Sequence, residues 1–565
     1  MSPSRWAAFG RLNRKMLLRE GLTGLPGAIG SVPDGMAASL LAGVNPIHGL
    51  YASMAGPIVG GLFASTSLVV VTTTSAAALA AGSTLSGIEA ADKPNALFLL
   101  TILAGAFMVL AGVFRLGRYT RFVSNSVMVG FLTGIAANIV LGQIPAATGS
   151  VGEGSTAVTR AIDVMLHPAR MDLPTIVVTL SSLAILVVGS RTAFRSVAAL
   201  AALVIPSIVI AMVGSASVAT VADAGAIPSG VPLPALPELR LLSLDLVIGA
   251  LAVAVIVLVQ GSGVSESAPN PDGTASDVNR DFIAQGSGNI AAGLFQGQPV
   301  GGSVGQTALN VAAGARTRWA SIFSGVWMFV ILIAFAPAVG TVVMATLAAV
   351  LIYAAIGAIK VEGVRLTLRH SATSLVAGVT TFICTLMLPV AAAVGIGVAL
   401  SLLLQLNREA LDLTVVRLVP SDDGTVSEQP VPRRLESLRV VMLDVYGSLL
   451  FAGARTLEAR LPDPTAAVSP AVVLRLRGRT SLSSTAIEVL SRYAQKVSDA
   501  GGRMYVSGVD PATVVKLRTT RAIEALGPVE LVPATSVLGA SSREAYELAL
   551  AWLAEQTLPT EGEDG

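Results

Sequence analysis

The sequence predicts an α-helical polytopic membrane protein with about 14 transmembrane segments, followed by a small cytoplasmic α/β domain. Three observations predict this fold class. Hydrophobic residues make up 53% of the 565 residues, charged residues only 13%, and the mean hydropathy is +0.73, which excludes an ordinary soluble globular protein. Charged residues are scarce between about residues 20 and 407 and frequent from residue 408 onward. Apolar runs close to the ~20 residues that cross a bilayer recur throughout the first part.

The N-terminal segment, residues 1–20, is basic and lacks the cleavage site of a signal peptide. We therefore expect a cytoplasmic tail ahead of a transmembrane transport domain, residues 21–407. The candidate spans of that domain lie at residues 21–41, 44–63, 68–83, 96–114, 123–143, 174–189, 194–214, 244–260, 283–296, 301–313, 319–336, 338–358, 372–388 and 390–407.

Basic residues follow the even-numbered spans, among them Arg115, Arg195, Arg316, Lys360 and Arg408. The positive-inside rule assigns such loops to the cytoplasm, on the same side as the basic tail. The predicted location is the cell inner (plasma) membrane, crossed many times, with the N-terminus and the C-terminal domain in the cytoplasm.

The third and tenth spans are unlike the others, because both are short and both begin in small polar residues, Thr72–Ser75 and Gly301–Ser303. They are seven spans apart. Two interrupted spans at corresponding positions of two halves indicate an inverted-repeat transporter with a binding site near the bilayer midplane. Their helix N-termini would face each other, and the positive ends of two helix dipoles favour an anion.

Residues 297–307, Gly-Gln-Pro-Val-Gly-Gly-Ser-Val-Gly-Gln-Thr, form the entry of the tenth span. Proline and consecutive glycines interrupt a helix. Lipid cannot satisfy the freed backbone groups, so we expect this stretch to line a cavity. It lacks the lysine and the spacing of a phosphate-binding loop. A purely structural hinge is the alternative, since glycine also allows close helix packing in membranes.

Residues for other chemistries are missing or isolated. Cys384 is the single cysteine, which excludes an intrachain disulfide framework, and three histidines far apart in the sequence offer no metal-ligand spacing. We expect a protein that is not an enzyme, with no catalytic residues, no bound metal, no cofactor and no nucleic-acid partner.

The composition changes after the last span. Residues 408–437 are polar and contain prolines, which predicts a linker. Strand-like and helical runs then alternate through residues 438–558, which predicts the α/β domain, and residues 559–565 form an acidic tail.

Several sequence runs carry a resemblance to a known family. They are Pro33-Asp-Gly-Met-Ala, Gly49-Leu-Tyr-Ala, Val129-Gly-Phe-Leu-Thr-Gly, Asn279-Arg-Asp-Phe-Ile-Ala-Gln-Gly-Ser-Gly-Asn-Ile, Pro299-Val-Gly-Gly-Ser and Gly314-Ala-Arg-Thr. On these residues the chain resembles the SulP (sulfate permease) anion transporters, which are related to the animal solute-carrier-26 exchangers. The C-terminal part, with Gly447-Ser-Leu-Leu-Phe-Ala-Gly-Ala, looks like the family's STAS domain.

The resemblance implies a seven-plus-seven inverted repeat with core and gate domains, a homodimer in the lipid bilayer, and elevator-type movement of the core. It also implies a small anion as substrate, such as sulfate, bicarbonate, chloride or a dicarboxylate. In the STAS-like domain, Ser483-Ser-Thr-Ala lacks the acidic residue and the glycine of the loop in bacterial regulatory relatives. Packing or docking of a regulatory protein is therefore favoured there over phosphorylation of Thr485.

The chain departs from the family's pattern at the expected site. Gln260 stands where the eighth span usually carries an acidic residue, and Gln306 stands where the tenth span often carries a basic one. Because removal of one partner from a buried ion pair is costly and removal of both is tolerable, we interpret the two glutamines as a matched neutral replacement. Without a fixed cation, the anion must be held by helix dipoles, backbone N–H groups and hydroxyls. The predicted substrate-binding residues are Asp34, Thr72, Thr73, Thr74, Ser75, Gln260, Gly302, Ser303, Val304, Gly305 and Gln306.

Asp34 replaces a glutamine that usually follows the proline of the first span. A carboxylate at membrane depth is costly and indicates a function, so we expect Asp34 to couple anion transport to H⁺ or Na⁺. A helix cap or a neutral packing role is the alternative. Two other functions stay open: a nucleobase-type carrier of the same repeat fold, and a membrane anion sensor or regulator that does not transport.

Overall fold

The computed structural model describes residues 14–122, 124–192, 197–215, 217–224, 232–359, 361–370, 372–421, 425–449, 451–478, 482–519 and 523–557. The acidic tail at 559–565, the first 13 residues of the basic tail, and the basic residues Arg195 and Lys360 lie outside these ranges. The chain divides into two compact units, Met1–Ser401 and Leu402–Gly565, and each is described by itself.

The first unit consists of helices with one short two-stranded ribbon. The elements are α1 (Arg14–Ala42), α2 (Ile47–Phe63), β1 (Val71–Thr73), α3 (Ser75–Thr84), α4 (Lys93–Val113), α5 (Asn125–Thr148), α6 (Ala157–Leu166), α7 (Leu173–Ser190), α8 (Ala198–Val213), α9 (Leu244–Ser267), α10 (Val278–Leu294), β2 (Val300–Gly302), α11 (Val304–Ala312), α12 (Trp319–Val339), α13 (Met344–Ala358), α14 (Val361–His370), α15 (Ala372–Met387) and α16 (Val390–Leu411).

Every predicted span corresponds to a helix or, for the third and tenth, to a strand followed by a short helix. The strand at β1 is rich in β-branched residues, and β2 follows Pro299, which cannot extend a helix. Two helices, α6 and α14, lie in segments that hydropathy had assigned to loops. α6 begins in a capping box formed by Thr156 and Thr159, a local signal that hydropathy does not detect.

Length and composition alone mark four helices of the described residues, α4, α5, α7 and α9, as able to cross a membrane unaided. A bent pair, α13 with α14, makes a fifth, and several of the remaining helices are apolar but shorter. The helices α3, with 10 residues, and α11, with 9, are too short to pass such a test.

The helices of the first unit form two groups. In the first group α4 and α2 pack on α10, and α1 and α2 pack on α12. Glycines allow the closest of these contacts: a Cβ on Gly105 of α4 would lie 2.6 Å from the carbonyl oxygen of Gly286 on α10. In the second group α5 packs on α13 and α15, and α7 packs on α8 and α13. There a Cβ on Gly130 would lie 2.2 Å from the carbonyl oxygen of Gly378.

The second unit is a six-stranded sheet with helices. Its elements are β3 (Thr414–Pro420), β4 (Val426–Gln429), β5 (Val440–Tyr446), α17 (Phe451–Arg460), β6 (Ala471–Arg475), α18 (Ser484–Asp499), β7 (Arg503–Val509), α19 (Pro511–Thr519), β8 (Val529–Pro533) and α20 (Ala540–Thr557). The strand order is β4-β3-β5-β6-β7-β8, with β5 to β8 parallel and β3 antiparallel to both of its neighbours.

Residues 408–437 differ from the expected linker. They contain the end of α16 and the hairpin of β3 and β4, which joins the sheet through pairs such as Val415 with Val445. The valines of β3 suit a half-buried strand, but the flanking prolines and acidic residues dominate the composition of the segment. β8 also leaves little signal in the sequence, because its five residues lie between loops and carry little periodicity.

Candidate functional site

Two short helices begin side by side in the first unit because the strands that precede them pair. β1 and β2 are antiparallel, with Val71 opposite Gly302 and Thr73 opposite Val300. A further backbone bond joins the Ser303 N–H to the Val70 carbonyl at 3.0 Å. The chain then enters α3 after β1 and α11 after β2. The ribbon thus fixes the two helix N-termini close to one another.

The two helix starts have the same capping arrangement. The Thr74 hydroxyl accepts a hydrogen bond from the Ala77 N–H at 3.4 Å, and the Ser303 hydroxyl accepts one from the Gln306 N–H at 3.4 Å. Each cap satisfies one of the N–H groups that a helix leaves without an intrahelical partner. Thr74 and Ser303, both predicted at the site, therefore shape the helix ends.

Backbone N–H groups remain open at both helix ends. Among the residues that the structure describes, the N–H groups of Ser75 and Ala76 on α3 and of Val304 and Gly305 on α11 have no hydrogen-bond partner. Val304 and Gly305 are exposed, and the space where a Cβ of Gly305 would stand is open. Such groups, together with two dipole ends, can bind an anion.

Side chains of α10 hold the ribbon in place. Asn289 behaves like a strand neighbour of Val300, because its Oδ1 accepts the Val300 N–H at 2.9 Å and its Nδ2 donates to the Val300 carbonyl at 2.7 Å. Gln285, one turn earlier, accepts the Gly302 N–H at 3.1 Å. Both amides are buried. Sequence reasoning missed these two residues as part of the site, although they lie four positions apart within the most specific of the quoted motifs.

The threonine hydroxyls of β1 are already occupied. Thr72 donates to the Ser53 hydroxyl at 3.1 Å, and the hydroxyls of Ser53 and Thr73 lie 3.5 Å apart. Thr72 is 1% exposed and Thr73 is 5% exposed. The hydroxyls of Thr72 and Thr73 therefore anchor the ribbon to α2.

Asp34 reaches the first turn of α11. Its Oδ2 accepts a hydrogen bond from the Gln306 Nε2 at 2.7 Å. Gln306 is 2% exposed, and its Oε1 is buried without a partner among the described residues. Asp34 makes no ion pair within the described part of the chain, and it does not cap a helix through backbone N–H groups there. A single neutral amide thus faces the carboxylate.

Gln260 lies apart from Gln306. Its side chain forms no hydrogen bond with any described residue, and its Oε1 is buried. It lines a cavity of about 30 Å³ between α9, which packs on α4 of the first group, and the helices α5, α15 and α16. Gln260 therefore faces the boundary between the two helix groups. Its neighbour Gly261 approaches the ribbon, since a Cβ on Gly302 would lie 3.2 Å from the Gly261 Cα. The hydrogen-bond partner of Gln306 is thus Asp34, and the interpretation of the two glutamines as a matched neutral replacement stays a prediction.

A buried carboxylate positions the chain that leads into β1. Asp281 on α10, 6% exposed, accepts hydrogen bonds from the backbone N–H groups and the hydroxyls of Ser65 and Thr66 and from the Ser265 hydroxyl. Five hydrogen bonds from three residues thus meet at one carboxylate. These bonds fix Ser65 and Thr66, in the segment that leads into β1. No group of three or more His, Cys, Asp or Glu side chains suited to a metal comes together in the described ranges.

Comparison with known proteins places this geometry in context. A sequence model described as the sulfate permease family matches residues 19–387, and a STAS domain model matches residues 432–531. A probable sulfate transporter of Mycobacterium tuberculosis is 28% identical over 541 residues, which cover 93% of this chain and 96% of that one. The bicarbonate transporter BicA of Synechocystis is 23% identical over 496 residues, with 86% of each chain covered.

Solved structures share the fold. The murine solute carrier 26 family member A9 anion transporter, in the inward-facing state, has a TM-score of 0.80 at 17% identity, covering 97% of this chain and 94% of that chain. The transmembrane domain of a cyanobacterial bicarbonate transporter, BicA, has a TM-score of 0.59 at 21% identity, covering 68% of this chain and 99% of that chain. The predicted helical membrane fold with a C-terminal STAS domain is confirmed.

Proposed function

Because the chain belongs to the sulfate permease family of anion transporters, we propose that it is a secondary transporter that binds a small inorganic anion between the N-termini of α3 and α11. The substrate is of the sulfate, bicarbonate or chloride class. The observation that carries this proposal is the set of open backbone N–H groups, two on each helix, at ends that the β1–β2 ribbon holds together.

Asp34 competes with the substrate for the same helix end. Its carboxylate accepts a hydrogen bond from Gln306 in the first turn of α11. An ionised carboxylate at this position interacts favourably with the positive end of the helix dipole, as a bound anion would. A bound anion and an ionised Asp34 repel each other. The site therefore accepts an anion more readily when Asp34 is protonated or bears a cation, and this exchange couples the anion to H⁺ or Na⁺.

Gln306 suits such a switch because its amide carries both a hydrogen-bond donor, Nε2, and an acceptor, Oε1. The Nε2 can donate to an ionised carboxylate, and in the structure it donates to Asp34 at 2.7 Å. After rotation of the amide, the Oε1 could accept the O–H of a protonated one. An arginine or lysine at this position can only donate and would favour the charged carboxylate.

The larger movements follow the pattern of the family. The helix group that carries the site, the core, moves as an elevator against the gate group of α5, α7, α8, α13 and α15. Two copies form a homodimer in the cell inner membrane, with the N-terminus and the STAS domain in the cytoplasm, where the STAS domain docks a regulatory protein. The position of Gln260 at the boundary between the groups supports a sliding surface there.

The test is transport by purified protein in proteoliposomes. Labelled sulfate, bicarbonate and chloride, with a dicarboxylate and a nucleobase as further arms, are offered under inward pH or Na⁺ gradients and under neither. Accumulation of one inorganic anion supports the proposal, and accumulation of the nucleobase alone contradicts it. Binding of an anion without accumulation would instead identify a sensor.

The coupling residue is tested with Asp34→Asn and with Asp272→Asn, an exposed control that makes the same chemical change. Asparagine cannot ionise, so the Asp34 variant should still exchange anion across the membrane but lose its response to the gradient. The Asp272 variant should respond like the wild type. An Asp34→Asn protein that keeps the wild-type gradient dependence refutes the coupling.

A further inference from the structure

Helix α6 buries one face against its neighbours and leaves an apolar face open. The buried face consists of Ala157, Ala161 and Val164. The apolar face of α6 consists of Ile162, Met165 and Leu166, which are 51%, 58% and 72% exposed. Single exposed apolar side chains are ordinary, but three large ones together on one short helix indicate a contact surface.

The remaining face of α6 is polar and is bonded to the segments before and after the helix. The Asp163 carboxylate accepts the backbone N–H of Glu153 at 3.0 Å. The same carboxylate lies 3.1 Å from the His167 Nδ1 and 3.6 Å from the Arg170 guanidinium. These contacts fix the rotation of α6 about its own axis, so the apolar face stays turned away from the protein.

The start of α6 lies beside α5 and not beyond its end. A Cβ on Gly142 of α5 would lie 3.6 Å from the Ala157 Cβ. Gly142 precedes the last residue of α5, Thr148, by six positions, which is about 9 Å along a helix. α5 is apolar enough to cross a membrane, and its 24 residues span about 36 Å, against ~30 Å for the hydrocarbon core. The first turn of α6 therefore lies alongside the part of α5 that reaches one leaflet.

A lipid-facing surface begins next to α6, at the start of α7. The Asp172 N–H, just before α7, donates to the Thr148 carbonyl at 2.8 Å, so α7 begins at the same end of α5 as α6 lies. Only 28% of α7, an apolar helix long enough to span the bilayer, is buried. Exposed apolar residues recur along it at helical spacing, at Leu173, Val177, Leu180 and Val188. The apolar face of α6 thus continues a surface that meets lipid.

We propose that the apolar face of α6 binds phospholipid. Ile162, Met165 and Leu166 lie among the upper acyl chains of the leaflet at which α5 ends, and the polar face, with Arg160, is turned toward head groups and water. The apolar face of an amphipathic helix enters this boundary by about 5–10 Å. Because α6 packs on α5, the contact belongs to the second helix group. It is separate from the anion site and does not depend on it.

A second copy of the chain is the other possible occupant of this face. A stable protein interface buries about 800 Å² on each partner, and three side chains on a helix of ten residues offer far less. Lipid contact has no such minimum area. The continuity with α7 and the small area together favour lipid.

The experiment measures what surrounds single spin labels on the reconstituted full chain. Cys384→Ser removes the single cysteine, and one new cysteine is then introduced and labelled with a nitroxide. Ile162→Cys and Met165→Cys probe the apolar face of α6. Arg160→Cys is the matched control on the polar face, and Leu180→Cys on α7 is the reference for lipid. Relaxation of each label is measured with oxygen, which concentrates in lipid, and with a nickel chelate in the water on both sides of vesicles of phosphatidylcholine.

We expect the ratio of the oxygen effect to the nickel effect at residues 162 and 165 to be at least about fivefold that at residue 160 and within about twofold of that at residue 180. Ratios that match residue 160 place the face in water and refute the proposal. Labels shielded from both reagents show that protein covers the face, which also refutes it. Spectral broadening that disappears on dilution with unlabelled protein would then identify a second copy as that protein.

A measurement on the wild-type protein avoids substitutions altogether. A phosphatidylcholine with a photoreactive group in its acyl chain is incorporated into the vesicles, and the attached residues are located by mass spectrometry after illumination. Adducts within residues 158–166, at a yield within about threefold of that on α7, support the proposal. Adducts on α7 with none on α6 overturn it, whatever the spin labels give.

Discussion

Removal of a single backbone N–H at the start of α11 tests the anion site directly. Val304 is the first residue of this helix, and its side chain is 53% exposed, so little packing depends on it. Proline is tolerated at the first helical position because the N–H there has no intrahelical partner. The preceding residue, Ser303, has φ −91° and ψ 121°, an extended conformation that a following proline favours. Val304→Pro should therefore keep the helix and remove one donor.

The magnitude follows from the type of bond. A hydrogen bond to a charged group contributes about 1.5–3 kcal/mol, which corresponds to a roughly 10- to 150-fold weaker affinity for the anion. The assay is KM for the transported anion in counterflow, measured for Val304→Pro and for Val304→Ala, which loses the same side chain and keeps the N–H. We expect a large rise in KM for the first variant and a change within about twofold for the second.

The other helix offers a parallel test. Thr74, which precedes Ser75, is also extended, with φ −131° and ψ 139°. Ser75→Pro should therefore remove the first N–H of α3 and keep the helix. If both proline variants transport with the KM of their alanine counterparts, the open N–H groups do not bind the substrate, and the site lies elsewhere.

Three further predictions concern charge, packing and capping. Gln306→Arg places a cation at the N-terminus of α11 and should lower KM for the anion while it weakens the response of uptake to pH, measured in the same vesicles. Gly105→Ala places a Cβ 2.6 Å from a carbonyl oxygen of α10 and should destabilise the protein by about 1–3 kcal/mol. The measurement is the thermal unfolding midpoint, which should be lower than that of Gly263→Ala. The Cβ of this control variant would meet nothing within 4 Å. Ser483→Ala removes the N-cap of α18, where the hydroxyl accepts the Ala486 N–H at 3.2 Å. The loss should lower the stability of the helix by about 1 kcal/mol. Hydrogen exchange in the first turn of α18 should then be faster than in the neighbouring variant Ser484→Ala.

The helices of the membrane unit could be predicted from the sequence because a helix that crosses lipid needs a long run of apolar residues. Long apolar runs located the helices, and small polar residues at Thr72–Ser75 and Gly301–Ser303 located the two interruptions. Pairing of the interruptions also followed from the sequence, since two helix starts at related positions of an inverted repeat face each other. The hairpin of β3 and β4 left no comparable signal, because β4 is exposed along its whole length and the prolines and acidic residues around β3 dominate the composition of that segment.

The partners within the site could not be predicted from one dimension. Asn289 and Gln285 form hydrogen bonds with the backbone of β2, which follows α10 after a turn. Ser53, on α2, accepts a hydrogen bond from Thr72 of β1. Gln306 and Gln260 were interpreted together as a neutral replacement of a charged pair, and the hydrogen bond of Gln306 to Asp34, on a helix far away in the sequence, was not predicted. Such contacts depend on how close two helices approach, and glycines such as Gly30 set that distance.

The two halves of the site are unequal, and this inequality bears on stoichiometry. Thr72 and Gly301 are opposite each other in the ribbon, and Asp34 precedes the first by nearly as many residues as Gln260 precedes the second. One repeat therefore contributes an ionisable group at the position where the other contributes a neutral amide. A single carboxylate can take up one proton for each anion that binds. A monovalent anion would then cross without net charge, whereas a divalent anion would carry one negative charge with it, so the response of uptake to membrane potential distinguishes chloride or bicarbonate from sulfate as the substrate.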